Sequence, residues 1–194
     1  MITLKLRDKH EPLVHAWGRS FAGIDEVEVS CGDIFEVTAD AIVSPANSFG
    51  FMDGGIDLVY SLRFGWDMEA RLRARIDAEL GGELPVGMAL IVETGDAAIP
   101  WLISAPTMRV PMDVAGTANA YLALRAALRA AMAHAGDPPI RSVLCPGLGT
   151  LCGQMPDERA ARQMSIAYQE VVMGFDERLG GLAGAVRRHM ELVR

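Results

Sequence analysis

Lysine is nearly missing from this chain: Lys5 and Lys9 are the only two. The formal charge is −7, and no basic stripe is available to neutralise the phosphates of a long nucleic acid. Sequence-specific nucleic-acid binding is therefore not expected. Any anionic ligand must be held mainly by backbone N–H groups, helix N-termini and an occasional arginine. Cysteine is scarce as well. Cys31, Cys145 and Cys152 form neither a paired framework nor a Cys-x-x-Cys, which points to a reducing compartment. The four histidines are scattered without ligand spacing, so no metal is expected, and no cofactor either. No apolar run approaches the roughly 18 residues that span a bilayer. The N-terminus, with Lys5, Arg7, Asp8 and Lys9, lacks the apolar core of a signal peptide. A cytoplasmic protein without membrane partners is the expectation. Repeats, low-complexity tracts and linkers are absent too, which leaves one domain over residues 1–194.

What is present supports a packed α/β chain. Half of its 194 residues are hydrophobic, enough for a core without staples. Ile2 to Leu6 alternates like an edge strand. Glu11-Pro12 opens a helix from Leu13 to about Phe21, stopped by Gly23. Val27 to Ser30 and Asp40 to Ser44 read as strands. Trp66, Leu72, Ile76 and Leu80 recur at helical spacing within Ile56 to Leu80. Met88 to Val92 and Trp101 to Ser104 suit buried strands. Thr117 is expected to cap an alanine-rich helix that ends near Gly136. Arg141 to Cys145 is one more strand, Pro156-Asp157-Glu158 starts a helix, and Glu177 to Arg194 forms the last. Strands alternating with helices predict a three-layer α/β/α domain, and the opening β-α-β-β order makes its central sheet mixed.

The chemistry concentrates in the loops after these strands. Asn47 and Asp57 bracket a loop with paired glycines, Gly54-Gly55, at the mouth of a strand. That backbone is flexible enough to lie against a ligand. Taken singly, Asn47 suits a turn and Asp57 suits a helix cap. Asp33, after a strand and a glycine, could accept hydrogen bonds from an exocyclic amine or could be a turn residue. Pro146-Gly147-Leu148-Gly149-Thr150-Leu151-Cys152-Gly153 lies between a strand and a helix, where α/β folds cradle phosphates. Its glycines resemble a dinucleotide fingerprint, but the helix begins only after Pro156, and too little chain follows for another βαβ unit. Without Gly-Lys-Ser/Thr it is not a P-loop. A diphosphate cradle of backbone N–H groups remains, beside the alternative of an ordinary connection. Arg109 is either an anion contact or a solvated charge. Cys152 lacks a His–Asp/Asn partner and reads as an incidental thiol.

Together these segments resemble the macro domain, an ADP-ribose-binding module. Gly32-Asp33-Ile34 is similar to the family's Gly-Asp-Ile. Asp40-Ala-Ile-Val-Ser-Pro-Ala-Asn47 is similar to its Asp-Ala-Ile-Val-Asn-Ala-Ala-Asn, and Gly54-Gly55-Ile56-Asp57 to its Gly-Gly-Val-Asp. Pro146-Gly-Leu-Gly-Thr150-Leu-Cys-Gly-Gln-Met-Pro156 aligns without gaps to its Pro-Ala-Ile-Ser-Thr-Gly-Val-Phe-Gly-Tyr-Pro. The resemblance covers roughly residues 27–175. The Ala105-to-Pro111 segment and the N-terminal strand–helix resemble bacterial or phage variants more loosely; the N-terminal strand–helix and the C-terminal helix are additions to that core.

The resemblance implies a role for each residue. Asp33 would accept from the adenine amine, with the Ile34 backbone beside it. Gly54, Gly55 and Ile56, with Gly147, Gly149, Thr150, Leu151, Cys152 and Gly153, would flank the diphosphate and distal ribose. Asn47 would bond that ribose, and Asp57 would lie by its anomeric carbon, these two forming the catalytic set. The implied function is binding of ADP-ribose or a derivative, with hydrolysis of mono-ADP-ribosyl esters on protein or small molecules. Alternatives are a non-catalytic reader of ADP-ribosylated protein, an ADP-ribose-1″-phosphate phosphatase, or a structural protein with a vestigial pocket. Four departures carry their own expectations. Ser44-Pro45 replaces an Asn-Ala. Met52-Asp53 stands where glycines are common and would crowd the loop or repel phosphate. Leu151 would limit backbone approach, and Gly153, in place of an aromatic, would leave the distal side open.

Overall fold

The computed structural model describes residues 2–175 and 180–194. Six strands form one sheet: β1 (Thr3–Asp8), β2 (Val27–Cys31), β3 (Ala41–Ser44), β4 (Leu90–Glu93), β5 (Trp101–Ser104) and β6 (Ser142–Cys145). Their order is β2-β1-β6-β3-β5-β4. Every pairing is parallel except β4 with β5, so the sheet is mixed, as expected. The helices are α1 (Glu11–Ser20), α2 (Gly55–Phe64), α3 (Asp67–Leu80), α4 (Asn119–Ala133), α5 (Asp157–Val171) and α6 (Leu182–Val193).

The layers follow from side-chain alternation along the strands. Val43, Ile103, Val143 and Cys145 face a core shared with α1, α4 and α5. Ile42, Leu102 and Leu144 face the opposite core, formed with Tyr60 of α2 and with Met68, Leu72 and Ile76 of α3. All four residues of β3 are fully buried, as both faces of a parallel strand must be when helices cover them.

Three expectations are corrected. Ile2 to Leu6 is not an edge strand: β1 lies between β2 and β6, and the edges are β2 and β4. Its alternation arises because Ile2, Leu4 and Leu6 pack into the core shared with α1, α4 and α5, whereas Lys5 reaches the Thr38 carbonyl and Arg7 the Asp33 carbonyl. The stretch from Ile56 to Leu80 is two helices, broken at Gly65 (φ 95°), and Trp66 at the break is 59% exposed. The alanine-rich helix runs from Asn119, whose N–H donates to Thr117 Oγ1 (3.2 Å) as expected of a cap, to Ala133. The last helix begins at Leu182; residues 176–179 of its expected span lie outside the described residues.

The start of α4 is held by a residue that periodicity alone does not mark. Gln163 of α5 is fully buried. Its Oε1 accepts from the Tyr121 N–H (3.1 Å), and its Nε2 donates to the carbonyls of Thr117 (2.7 Å) and Leu192 (2.9 Å). Replacing Gln163→Ala leaves three backbone groups unpaired at the junction of α4, α5 and α6. A loss of about 2–3 kcal/mol is expected, at 1–3 kcal/mol per unsatisfied buried group less what water recovers. Urea unfolding should show a lower midpoint at unchanged slope; an unchanged midpoint would contradict this role.

Candidate functional site

Parallel strands put all their carboxyl ends on one edge, and the ligand crevice of an open α/β sheet lies there. Here that edge gathers the residues after Asp8, Cys31, Ser44, Ser104 and Cys145. They surround a cleft of about 620 Å³, within the roughly 300–1,000 Å³ range of small-molecule sites. Every residue that the resemblance assigns to ligand contact or catalysis, from Asp33 to Gly153, lines this one cleft.

One wall is the glycine-bearing loop after β6. The N–H groups of residues 148–153 donate to no acceptor among the described residues. The Gly147 N–H is taken by Asp8 Oδ2 (3.1 Å), which ties the loop to β1. Gly153 packs so closely that a Cβ there would meet the Gly149 carbonyl oxygen at 2.5 Å. The Leu151 side chain is 75% exposed.

The facing wall is the N-terminus of α2. Gly54 at the N-cap offers no side-chain cap, so the first N–H groups of the helix remain open. Gly55 has φ 57°, a left-handed conformation that side chains resist. Met52 does not crowd this loop, contrary to expectation. It is fully buried in the α2–α3 core, its N–H on Glu69 (2.8 Å) and its carbonyl accepting from Ser61 (2.8 Å). Asp53 alone of that pair reaches the cleft.

Asp57 is the third residue of α2, not its cap, and it is 5% exposed. Ser44 Oγ donates to its Oδ1 at 2.5 Å. Burial pushes its pKa up from 3.8 to about 7, against the lowering pull of the Ser44 hydrogen bond. Asn47 lines the cleft, but its amide folds the loop. Oδ1 accepts from the N–H groups of Phe49 (3.0 Å) and Phe51 (3.3 Å), and Nδ2 donates to the Phe51 carbonyl (2.9 Å).

At the other end, Asp33 Oδ1 accepts from the Phe35 N–H (3.0 Å) and Oδ2 from Lys9 (2.6 Å). The Lys9 ammonium, then the Phe35 N–H, hold its carboxyl below the usual range. Sequence reasoning missed this neighbourhood. Arg7, Asp8 and Lys9 all line the cleft, Arg7 pairing with Glu36 and donating to the Asp33 carbonyl (2.6 Å). Their signal was their position after an alternating strand, legible only once that strand is placed inside a parallel sheet. Thr107, Met108 and Pro111 also line the cleft. Arg109 does not: Glu83 holds its guanidinium through two bonds of 2.8 and 3.1 Å. Among the described residues, no group of three His, Cys, Asp or Glu could hold a metal ion, and no helix is long and apolar enough to cross a membrane.

An open sheet with a cleft between an uncapped helix start and a loop of free amides defines an α/β domain with a candidate ligand site. A sequence model of the Macro domain matches residues 43–164, and the chain belongs to that family. An uncharacterized protein of Aquifex aeolicus is 36% identical over 139 residues, covering 72% of this chain and 78% of that one. The macrodomain of Mycobacterium tuberculosis DarG superposes with a TM-score of 0.59 at 25% identity, over 73% of this chain and 88% of its own. A mutant of the Oceanobacillus iheyensis macrodomain with ADPR gives 0.55 at 23% identity, over 70% and 73%.

The Asp57 carboxyl generates a signed prediction. Between pH 3.8 and about 7 the folded state keeps a proton that the unfolded state has lost, so this group lowers stability as pH rises through that window. Asp57→Asn removes the penalty. The variant should gain on the order of 3 kcal/mol over the parent in urea unfolding at pH 8 and nothing at pH 4. An equal difference at both pH values would contradict a buried, titrating Asp57.

Proposed function

We propose that the chain binds ADP-ribose or a derivative and hydrolyses ADP-ribosyl ester linkages, with Asp57 as the acid–base group. One observation carries this reading: an amine acceptor, a wall of free amides and a buried carboxyl line a single cleft. The order along the cleft suits the ligand. Asp33 stands for the adenine amine, the two glycine loops for the diphosphate, and Asp57 for the anomeric carbon of the distal ribose. The relative with ADPR shares this fold and supports the choice of ligand.

The chemistry needs a group that takes a proton from water as the acceptor carboxylate leaves the anomeric carbon. The new C–O bond forms from water, the ester C–O pair departs with the acceptor, and the proton goes to Asp57. A carboxyl titrating at about 7 is matched to that task at neutral pH. The same carboxylate stabilises the positive charge that develops on the ribose. A reader of ADP-ribosylated protein is the second reading, favoured by Asn47, whose amide is engaged within its own loop.

Titration calorimetry with ADP-ribose tests the shared claim. Saturable heat is expected, weakened about 10–100-fold by Asp33→Ala, the span of losing a hydrogen bond to a charged group. Absence of heat at millimolar ligand with folded protein would sink both readings. On protein ADP-ribosylated at Glu or Asp, Asp57→Asn should slow label release at least 100-fold with binding kept within about threefold. Binding without release by the parent chain would leave the reader.

A further inference from the structure

The bond between Ser44 and Asp57 joins a strand end to a helix start inside the protein. Ser44 closes β3 and is fully buried, and its hydroxyl occupies only Oδ1 of Asp57. Oδ2 has no partner among the described residues and is not among the sealed, unpartnered atoms, so it is the oxygen left to the cleft. A carboxyl at the start of a helix has two rotatable bonds and could turn either oxygen inward. Ser44 removes that choice.

We propose that Ser44 is a positioning residue for Asp57: by donating to Oδ1 it fixes the carboxyl with Oδ2 facing the cleft and stabilises the ionised form that accepts a proton from water. This rests on the reading of Asp57 as the acid–base group.

The surroundings leave this task to Ser44. Among the described residues no cation pairs with Asp57: the influences on its ionisation are burial and the Ser44 hydroxyl. On α2, Tyr60 donates to the Val43 carbonyl (3.1 Å) and is held neutral by burial. From β6, burial likewise pushes the Cys145 thiol up and keeps it neutral. Asp8 at the end of β1 and Asp53 before α2 line the same cleft and carry only like charge, and Glu69 of α3 is occupied by the Met52 N–H and Arg73. The register partner of Ser44 is Ser104 on β5, on the same face of the sheet. Its Oγ is buried and has no hydrogen-bond partner among the described residues, so a second hydroxyl stands beside the pair without touching Asp57.

The test is the carbon-13 carboxyl titration of Asp57 in the intact chain, followed beside the pH profile of ester hydrolysis. Ser44→Ala should move the Asp57 midpoint upward by about one pH unit, the effect of losing one hydrogen bond to the charged form. It should lower kcat at pH 7 at least fivefold while the ADP-ribose dissociation constant stays within about twofold. Ser44→Thr, which keeps the hydroxyl, should restore the midpoint, and Ser104→Ala should leave it in place. An unmoved midpoint in Ser44→Ala overturns the proposal, as does an equal shift in Ser104→Ala, which would make the effect one of local polarity. Should the parent chain bind ADP-ribose but release no label, the hydrolase reading fails, while the titration still decides whether Ser44 sets the state of Asp57.

Discussion

The insertion of β6 between β1 and β3 is the constraint on which the rest depends. These strands lie about a hundred or more residues apart in sequence, yet Leu4 pairs with Val143, and Ile42 with Leu144. Only when β6 enters does the loop at 147–153 come to stand opposite the start of α2. The Gly147 N–H then meets Asp8, and Asp40 bonds the backbone of Arg141 and Ser142 (2.9 and 2.7 Å) at the other end of the same strands. The cleft is thus a product of long-range strand pairing, with no wall that forms locally on its own. Such pairing costs loop-closure entropy before any contact repays it, and the two apolar cores on either side of β3, β5 and β6 provide the compensation.

The two ends of the cleft differ in how they are held. Near Asp57 the site is buried, with the carboxyl held by the hydroxyl of a fully buried serine. Near Asp33 it is open and charged, with Lys9, Arg7 and Glu36 in exposed or part-exposed pairs. Exposed pairs contribute little to stability, so the Asp33 end can exchange partners at low cost. The family match begins at Val43 and contains Asn47, Asp57 and the loop after β6, whereas Arg7, Lys9 and Asp33 precede it. The Asp57 end therefore lies in the part of the chain shared most plainly with the family.

Much of this was legible in the sequence. Period-2 and period-3.6 patterns placed the strands and most helices, and motif spacing brought Asn47, Gly54, Asp57 and the loop after β6 to one cleft. What the sequence hid was partnership. Ser44 looked like a departure from a motif, and nothing local reveals that its hydroxyl reaches a residue on the next helix. Met52 looked like an obstruction because burial depends on α3, not on its neighbours. Arg7 and Lys9 stood out only as an N-terminus too polar for a signal peptide, and a strand taken for an edge gives no hint that they line the cleft. Gln163 sits in a helix where its polarity reads as a solvated face, yet it bonds three elements.

The central claim is that the cleft at the carboxyl ends of the strands is where ADP-ribose binds. Titrating nitrogen-15-labelled protein with ADP-ribose tests it most directly. The account predicts the largest amide shifts at residues 33–35, 54–57 and 148–153, changing together with one dissociation constant. Shifts confined to the groove between α4 and α6, around Thr117 and Ala185, would contradict it.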